Sequence, residues 1–288
     1  MYQILVTGAN GQLGNEIRNL AKDYPDYTFF FTDVDELDIT SIAQVEDFLN
    51  QQKIDIIVNC AAYNVVDGAE KDTETAFLIN SVAVKHIAQL ARKKNIFCIH
   101  VSSDYVFDGM KNMPYLESDQ PNPLSAYARS KHEGETQVQN TLDNGAIIRT
   151  SWLYSSYGNN FVKTILKHAQ EKDHLKVVSD QVGTPTYAAD LANAILQFIP
   201  HHKQINGVGI FHYSNEGIAS WYDFAKAILE ISGIECIIEP VDTRDYPLPA
   251  HRPFYSVLNK SKIKSFLDIE IPYWRDSLKV CLNKIKSS

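Results

Sequence analysis

An α/β fold with a doubly wound parallel sheet is the architecture that the sequence predicts, on three observations. Strand-like apolar runs recur in the first 151 residues, helical patterns separate them, and a glycine-rich turn follows the first run. The runs are continuous rather than alternating, as expected for parallel strands covered on both faces. The predicted strands span 3–7, 28–33, 55–62, 96–103 and 145–151, and the predicted helices span 12–22, 42–52, 73–94 and 126–141.

The glycine-rich turn opens the first predicted helix and is the candidate cofactor site. Its glycines leave backbone amides at a helix N-terminus without intervening side chains, which suits the pyrophosphate of NADH or NADPH. Asp33 ends the second strand, where its carboxylate would accept hydrogen bonds from the adenosine ribose and repel a 2′-phosphate, although capping a turn is the alternative. The predicted turn contacts are Gly8, Asn10, Gly11, Gln12, Leu13 and Gly14.

Two further segments are candidates for cofactor contact. Asp38 and Ile39 follow the second strand and could lie along the edge of the adenine ring. Ala61, Ala62 and Tyr63 end the third strand and could line the path of the nicotinamide ribose. For the two alanines, packing of small residues between a strand end and a helix is an equally good interpretation.

Tyr127 and Lys131 are four residues apart in the fourth predicted helix, so they share one helix face. A neighbouring ammonium favours the phenolate, so we predict that Lys131 lowers the pKa of Tyr127 and makes it a proton donor. Ser103, at the end of the fourth strand, would hydrogen-bond the same substrate oxygen. A tyrosine and a lysine at this spacing are common on helices by chance. Here, however, the glycine turn, Ser103 and the Tyr127–Lys131 pair follow one another along the chain, and this order favours a nicotinamide-dependent enzyme.

The less regular second half predicts a smaller C-terminal lobe. We assign 1–150 to a dinucleotide-binding Rossmann domain and 151–288 mainly to a substrate-binding lobe, with return segments within 186–214. Helices are expected at 160–172 and 188–198, and strands at 175–179 and 209–214. The prolines between Tyr246 and Pro253 favour ordered loop.

Composition limits the class of protein. The 288 residues are 44% hydrophobic and 22% charged, which is ordinary for a globular protein. A net charge of −8 without a basic stripe argues against a nucleic-acid partner, and an anionic small substrate would need local cations. Four scattered cysteines suggest neither a zinc site nor a disulfide framework. Because no signal peptide or membrane span is recognised, we expect a cytoplasmic protein without a membrane partner.

With these parts placed, the chain resembles the extended short-chain dehydrogenases/reductases, and within them the dTDP-4-dehydrorhamnose reductase family, from residue 3 to about residue 280. The glycine turn, Tyr127 and Lys131 are general to the superfamily. More particular to the reductases are the blocks 103–109, 149–154, 158–161, 180–186 and 252–253.

The resemblance implies that Tyr127 is the general acid and that Lys131 also binds the nicotinamide ribose. Ser103 stands where the family usually has threonine and keeps the hydroxyl, while Ser102 is the rival because alternation sends only one of them into the site. The implied reaction passes a hydride to C4 of a 4-keto-6-deoxy-L-hexose on dTDP, giving dTDP-L-rhamnose, and Tyr127 protonates the alkoxide.

Contacts to the dTDP-sugar are implied in the same way. Arg252 is assigned to the diphosphate because its guanidinium offers a fork of donors. Plain core packing is the alternative for Trp152, and a surface ion pair is the alternative for Arg252. The substrate-binding candidates are Ser103, Asp104, Trp152, Asn160, Gln181 and Arg252.

Some members of the resembled family bind Mg²⁺ between subunits through glutamates. Glu16 matches the first of these, Asp190 stands where a second glutamate is expected, and no C-terminal partner is evident. Two scattered carboxylates are more often a helix-start charge and a solvated face. We therefore assign no metal ligand, and leave both Mg²⁺ and a homodimer open.

Two other functions occur on similar chains. Nucleotide-sugar epimerases and dehydratases keep NAD bound and return the hydride, but a dehydratase usually has an acidic pair where here only Asp104 follows Ser103. A reductase-like protein also serves as the regulatory subunit of methionine adenosyltransferase. Intact Ser103, Tyr127 and Lys131 argue against a purely regulatory role, and the reductase is favoured.

Overall fold

The computed structural model describes residues 2–287. The strands are β1 (Tyr2–Thr7), β2 (Tyr27–Thr32), β3 (Ile56–Asn59), β4 (Phe97–Ser103), β5 (Asn144–Thr150), β6 (Leu153–Tyr154), β7 (His174–Val178), β8 (Val182–Gly183), β9 (Thr186–Tyr187), β10 (Gly207–His212), β11 (Ala219–Ser220) and β12 (Ile237–Val241). The α-helices are α1 (Gln12–Leu20), α2 (Ile42–Gln51), α3 (Val66–Ala69), α4 (Thr73–Phe77), α5 (Ala83–Lys94), α6 (Ala126–Thr141), α7 (Phe161–Glu171), α8 (Ala188–Phe198), α9 (Trp221–Ser232), α10 (Ser261–Leu267) and α11 (Trp274–Ser287).

A six-stranded sheet in the order β10-β5-β4-β3-β1-β2 forms the centre of the molecule, and every pair of neighbours in it is parallel. The chain moves outward from β1 to β2, returns to β3 and continues through β4 and β5. This is the doubly wound parallel sheet that the apolar runs predicted. Strand β10 comes from the second half of the chain and pairs with β5.

Alternate side chains of each strand point to opposite faces of the sheet, so two apolar cores form. On one face, Ile4 and Val6 pack with residues of α1, α8 and α10. On the other face, Leu5 and Ile57 pack with residues of α2, α5 and α6. Because both faces are covered, the strands read as continuous apolar runs in the sequence.

The segment 73–94 is helical along its whole length, as predicted, although its winding changes partway. A π-helical turn, Leu78–Val82, separates α4 from α5. The wider turn places the fully buried Asn80 side chain against the chain at Tyr63, where it accepts a hydrogen bond from the backbone N and donates one to the backbone O. The π-helical turn thus lets Asn80 form hydrogen bonds with backbone polar groups just after the end of β3.

A third core holds the rest of the chain together. It is formed by side chains of α7, α9 and α11 with the parallel pair β7 and β12, around Phe224, Ile228 and Leu278. The helix boundaries of α6 and α8 are those predicted from the sequence, and the loop from Tyr246 to Pro253 is non-helical as predicted. Between residues 2 and 287, no helix has the length and apolar character needed to cross a membrane.

Candidate active site

A cavity of about 1110 Å³ lies between the glycine turn, the end of β4, the start of α6 and the third core. Parallel strands end at the same edge of the sheet, and this is where such folds bind ligands. The predicted residues that line it are Gly8, Gly11, Gln12, Leu13, Gly14, Ala62, Ser103, Asp104, Tyr127, Lys131, Trp152, Asn160, Gln181 and Arg252. The lining does not include Asn10, Asp33, Asp38, Ile39, Ala61 or Tyr63.

The glycine turn is shaped by close backbone contacts. Gly8 has φ +65°, and a Cβ there would lie 2.7 Å from the backbone of Ala61. A Cβ on Gly14 would lie 2.5 Å from Cα of Ala9, so α1 approaches the turn closely. No side chain caps α1 at Gly11, and the amides of the first helical turn have no partner within the helix. These free amides suit the pyrophosphate of a dinucleotide.

Asp33 lies just behind this turn. Its Oδ2 accepts a hydrogen bond from the backbone N of Asn10 at 2.8 Å, and Oδ1 accepts from Val34 N at 2.8 Å. The carboxylate therefore ties the end of β2 to the turn. Asp38 Oδ1 accepts from the N and the Oγ1 of Thr40, at 2.9 and 2.7 Å.

The remaining cofactor candidates outside the cavity have packing roles. Ile39 is a buried member of the core on the α2 face of the sheet. Ala61 packs against that core and lies against Gly8. Tyr63 is held by its backbone bonds to Asn80.

Tyr127 and Lys131 both lie in the first half of α6, which begins where Ser125 Oγ accepts from Ala128 N at 3.1 Å. The prediction that Lys131 lowers the pKa of Tyr127 is wrong here, because burial raises the pKa of the phenol to about 12. Lys131 Nζ instead donates to the carbonyl of Val101 at 2.8 Å. The phenol is therefore protonated near neutrality, and it would give up its proton only to a strong base such as a developing alkoxide.

Ser103 and Ser102 are separated by strand alternation, as expected. Ser103 lies within hydrogen-bonding reach of the Tyr127 phenol, and its Oγ donates to Asp104 Oδ1 at 3.0 Å. Ser102 faces Glu135 on α6 instead. The arrangement favours Ser103 over its neighbour as the hydroxyl beside Tyr127. Burial raises the pKa of Asp104 to about 7.

A buried ion pair lies behind Lys131. Glu135, fully buried, accepts from Arg149 Nε at 2.8 Å and from Arg149 Nη2 at 2.6 Å. Burial opposes ionisation of Glu135, but the bonds from Arg149 outweigh it and lower the pKa to about 2. Burial also lowers the pKa of Lys131 to about 8, and the Glu135 carboxylate opposes this shift. Glu135 thus supports the charged form of Lys131.

Trp152 lies in the cavity wall with strained backbone. Its φ is +46°, in the left-handed region that non-glycine residues rarely adopt, at a cost on the order of 1–3 kcal/mol. Its ring stacks on that of Trp221, with centroids 3.6 Å apart and planes 7° from parallel. Core packing and cavity lining therefore coexist at Trp152, since one part of the ring contacts Trp221 while the residue borders the cavity.

Asn160 and Gln181 are fixed by hydrogen bonds at the cavity wall. Asn160 Oδ1 caps α7 by accepting from Lys163 N at 3.2 Å, and its Nδ2 donates to Gln12 Oε1 at 3.0 Å. Gln181 Nε2 donates to Thr243 Oγ1 at 3.0 Å. Asn160 thus joins the lobe to the first residue of α1.

Arg252 forms an ion pair and also lines the cavity. Its Nη1 donates to Asp67 Oδ1 at 3.0 Å and its Nη2 donates to Asp67 Oδ2 at 2.7 Å. The bonds from Arg252 lower the pKa of Asp67. Asp67 lies on α3, so this pair connects the C-terminal loop to α3 and holds the guanidinium at the cavity.

Sequence reasoning missed several residues of the lining. Lys172 and Lys176 line the cavity, where cations in an acidic chain would suit an anionic substrate, and Lys176 Nζ lies 4.0 Å from Glu239 Oε1. No sequence signal marks the aromatic Trp221, because its role depends on a contact 69 residues away along the chain. The other missed side chains include Asn64, His168, Tyr246 and Leu248.

Glu16 and Asp190, the two carboxylates considered for Mg²⁺, have partners inside the chain. Glu16 is buried and accepts from Ser155 Oγ at 2.7 Å, with Lys284 Nζ at 3.6 Å. Asp190 accepts from Asn215 Nδ2 at 2.7 Å and from Ser277. Within the described residues 2–287, no group of three acidic, histidine or cysteine side chains is placed to hold a metal ion.

Comparisons with known proteins agree with this geometry. The family model described as the RmlD substrate binding domain matches residues 2–287. The dTDP-4-dehydrorhamnose reductase of Aggregatibacter actinomycetemcomitans is 40% identical over 289 residues, which cover 97% of this chain and 98% of the relative.

Solved structures of two dTDP-4-dehydrorhamnose reductases have the same fold. The one from Clostridium acetobutylicum has a TM-score of 0.93 and 41% identity, covering 99% of each chain. The one from Bacillus anthracis, in complex with NADP, has a TM-score of 0.93 and 35% identity, covering 98% of this chain and 99% of that one. These matches confirm the resemblance, and the chain belongs to the RmlD substrate binding domain family, together with these dTDP-4-dehydrorhamnose reductases.

Proposed function

We propose that this chain uses NADH or NADPH to reduce the C4 keto group of dTDP-4-dehydro-6-deoxy-L-mannose, giving dTDP-L-rhamnose. The observation that carries the proposal is the meeting of Ser103, Tyr127 and Lys131 beside the glycine turn, in one cavity with the substrate candidates. Membership of the family supports the choice of substrate. A cytoplasmic location is also proposed, supported by the four unpaired cysteines.

The residues of the turn fit a dinucleotide. Gly8, Gly11 and Gly14 keep side chains away from the free amides of α1, and these amides would hold the pyrophosphate. Lys131 would donate to the nicotinamide ribose from the floor of the cavity. When bound, the reduced nicotinamide supplies the hydride. Asp33 lies behind the turn, where its negative charge would repel the 2′-phosphate of NADPH. The Bacillus anthracis relative was nevertheless solved in complex with NADP.

Tyr127 is proposed to protonate the C4 oxygen as it becomes an alkoxide. Its raised pKa keeps the proton in place until negative charge develops on the substrate. Ser103, next to the phenol, would hydrogen-bond the same oxygen and fix its direction. Lys131, whose charged form Glu135 supports, would hold the nicotinamide ribose beside the phenol.

The rest of the cavity is proposed to hold the sugar nucleotide. Asp104 and Trp152 would border the sugar, with Asn160 and Gln181 nearby. Arg252 would contact the diphosphate, since Asp67 already orients its guanidinium at the cavity edge. Most of the protein's contribution is then positioning.

The test is the loss of reduced-nicotinamide absorbance when the purified protein meets dTDP-4-dehydro-6-deoxy-L-mannose, with NADH and NADPH tried separately. We expect turnover to dTDP-L-rhamnose, and Tyr127→Phe should abolish it while cofactor binding stays nearly intact. Tyr105→Phe is a matched control, because its ring packs edge-on against Tyr127 in the same cavity wall.

Two results would contradict this function. Equal activity of Tyr127→Phe would remove the proposed acid. No turnover with confirmed cofactor binding would direct attention to an epimerase with bound NAD or to a regulatory subunit like that of methionine adenosyltransferase. Co-purification with a synthetase would favour the second of these.

A further inference from the structure

Trp221, a residue outside the predicted set, stacks directly on Trp152. The two rings are parallel within 7° and their centroids are 3.6 Å apart, which is full stacking. Both residues line the cavity. Because Trp152 has a strained left-handed backbone, the surrounding structure must hold it in that conformation.

The position of Trp221 is itself fixed by local structure. It is the first residue of α9, where Ser220 and Asp223 form a reciprocal capping box. Phe161 packs against its ring with centroids 4.6 Å apart. The indole of Trp221 is therefore a fixed surface and not a mobile side chain.

Gly183 provides the second restraint on Trp152. A Cβ on Gly183 would lie 2.6 Å from Cε2 and 2.8 Å from Cζ2 of the Trp152 ring, so only glycine leaves room for the indole. Gly183 is paired with Ala219, two residues before Trp221, in the β8–β11 ladder. The β8–β11 ladder thus contains Gly183 and leads directly into Trp221 at the start of α9, so the two contacts to Trp152 are held close together.

We infer that Trp221 is a positioning residue, which together with Gly183 holds the indole of Trp152 in place as a wall of the sugar site. The inference rests on the proposed function, since it gives Trp152 its place beside the sugar. Loss of the stack would let the Trp152 backbone relax out of the left-handed region and remove that wall. Binding of the sugar nucleotide would then weaken, whereas the glycine turn would be unaffected.

The experiment compares Trp221→Ala, Trp221→Phe and Trp274→Phe in steady-state reduction. We expect Trp221→Ala to raise the KM for the sugar nucleotide about tenfold, as loss of an aromatic pair can, with the KM for the nicotinamide unchanged. Trp221→Phe should restore most of the affinity because a flat ring remains. Trp274→Phe is the matched control, since Trp274 lies in the same core outside the cavity lining.

Circular dichroism of Gly183→Ala gives a readout of the stack itself, because both indoles are still present in that variant. The chain has three tryptophans, so the far-ultraviolet couplet of stacked indoles reports on the pair Trp152 and Trp221. The couplet should vanish in both Trp221 variants and persist in Trp274→Phe. Gly183→Ala should perturb the couplet and raise the same KM with both indoles present, which keeps the test valid if Trp221→Ala fails to fold.

The outcomes separate the two proposals. A wild-type chain that reduces the sugar nucleotide, with an unchanged KM in Trp221→Ala or in Gly183→Ala, overturns the positioning role alone. Equal rises in the KM values for sugar nucleotide and nicotinamide also overturn it, because they indicate general loosening. A wild-type chain without turnover refutes the proposed function.

Discussion

Gly134 offers a sharp test of how α6, the helix that carries Tyr127 and Lys131, is positioned. It lies on α6 between Lys131 and Glu135, against the backbone of the π-helical turn at Asn80. A Cβ at Gly134 would overlap the carbonyl oxygen of Asn80, and relieving the overlap requires a shift of about 1 Å between helix and turn. The oxygen belongs to the backbone, so no side-chain rotation can relieve it.

The expected effect of Gly134→Ala follows from that shift. A displacement of about 1 Å at a catalytic group can cost on the order of 100-fold in rate, equivalent to about 2.7 kcal/mol of transition-state stabilisation. Overpacking should also lower the free energy of unfolding by about 1–3 kcal/mol. Alanine is the better helix former by about 1 kcal/mol, so helix propensity alone predicts the opposite sign for stability.

The assay measures kcat/KM for the dTDP-sugar and the urea midpoint of unfolding for Gly134→Ala. Gln139→Ala is the control, since Gln139 lies on the exposed face of the same helix. Wild-type kcat/KM together with an increased unfolding midpoint in Gly134→Ala would refute the close approach of α6 to the turn.

Three further predictions concern charged groups of the site. Glu135→Gln should lose about 3–5 kcal/mol in urea unfolding at pH 7, because Arg149 is left buried without a counter-charge. Because the pKa of Glu135 is lowered to about 2, the wild type should lose this stabilisation as the pH falls from about 4.5 towards 2, and the difference in unfolding free energy between wild type and Glu135→Gln should shrink. A difference that stays constant over this range would contradict the buried ion pair of Glu135 and Arg149. The pKa of Asp104 is raised to about 7, so between about pH 4 and 7 the folded wild type holds a proton that the unfolded chain has lost, and the wild type loses stability as the pH rises. Asp104→Asn has no such proton and should therefore gain about 4 kcal/mol of unfolding free energy relative to wild type across this range. A difference between the two proteins that does not change with pH in unfolding experiments would refute this prediction. Arg252→Lys should raise the KM for the sugar nucleotide about tenfold and leave the KM for NADPH unchanged, since lysine cannot form the bidentate hydrogen bonds of a guanidinium. An unaltered KM for the sugar nucleotide in steady-state kinetics would show that Arg252 does not contact the diphosphate.

The sequence predicted the fold well because its signals are local. The continuous apolar runs reflect strands covered on both faces, and the glycine turn reflects backbone contacts within one strand–helix unit. Helix α6 was predicted with its observed ends, since Ser125 is a favourable capping residue directly before it.

Features that depend on distant contacts were not predictable in the same way. The shift in the pKa of Tyr127 has the opposite sign from the prediction, because spacing along a helix shows the neighbouring lysine but not the burial of the phenol. The partner of Arg252 is Asp67, 185 residues earlier in the chain. Asn80 stands inside a helical pattern, and its bonds to Tyr63 and Ser130, which lie far away along the chain, could not be predicted from that pattern.

Within nine residues, helix α6 carries the proposed acid Tyr127, the cation Lys131, the glycine at 134 that lets the helix approach Asn80, and the carboxylate of Glu135 that supports the charge of Lys131. The side chains proposed to contact the sugar nucleotide come instead from separate segments, among them Trp152, Gln181 and Arg252. Under the proposed function, the acid and the groups around it thus lie in one short helix, while the proposed sugar contacts are distributed over the lobe. Such a division lets recognition of the sugar nucleotide diverge by substitutions in the lobe while the reduction chemistry is inherited unchanged.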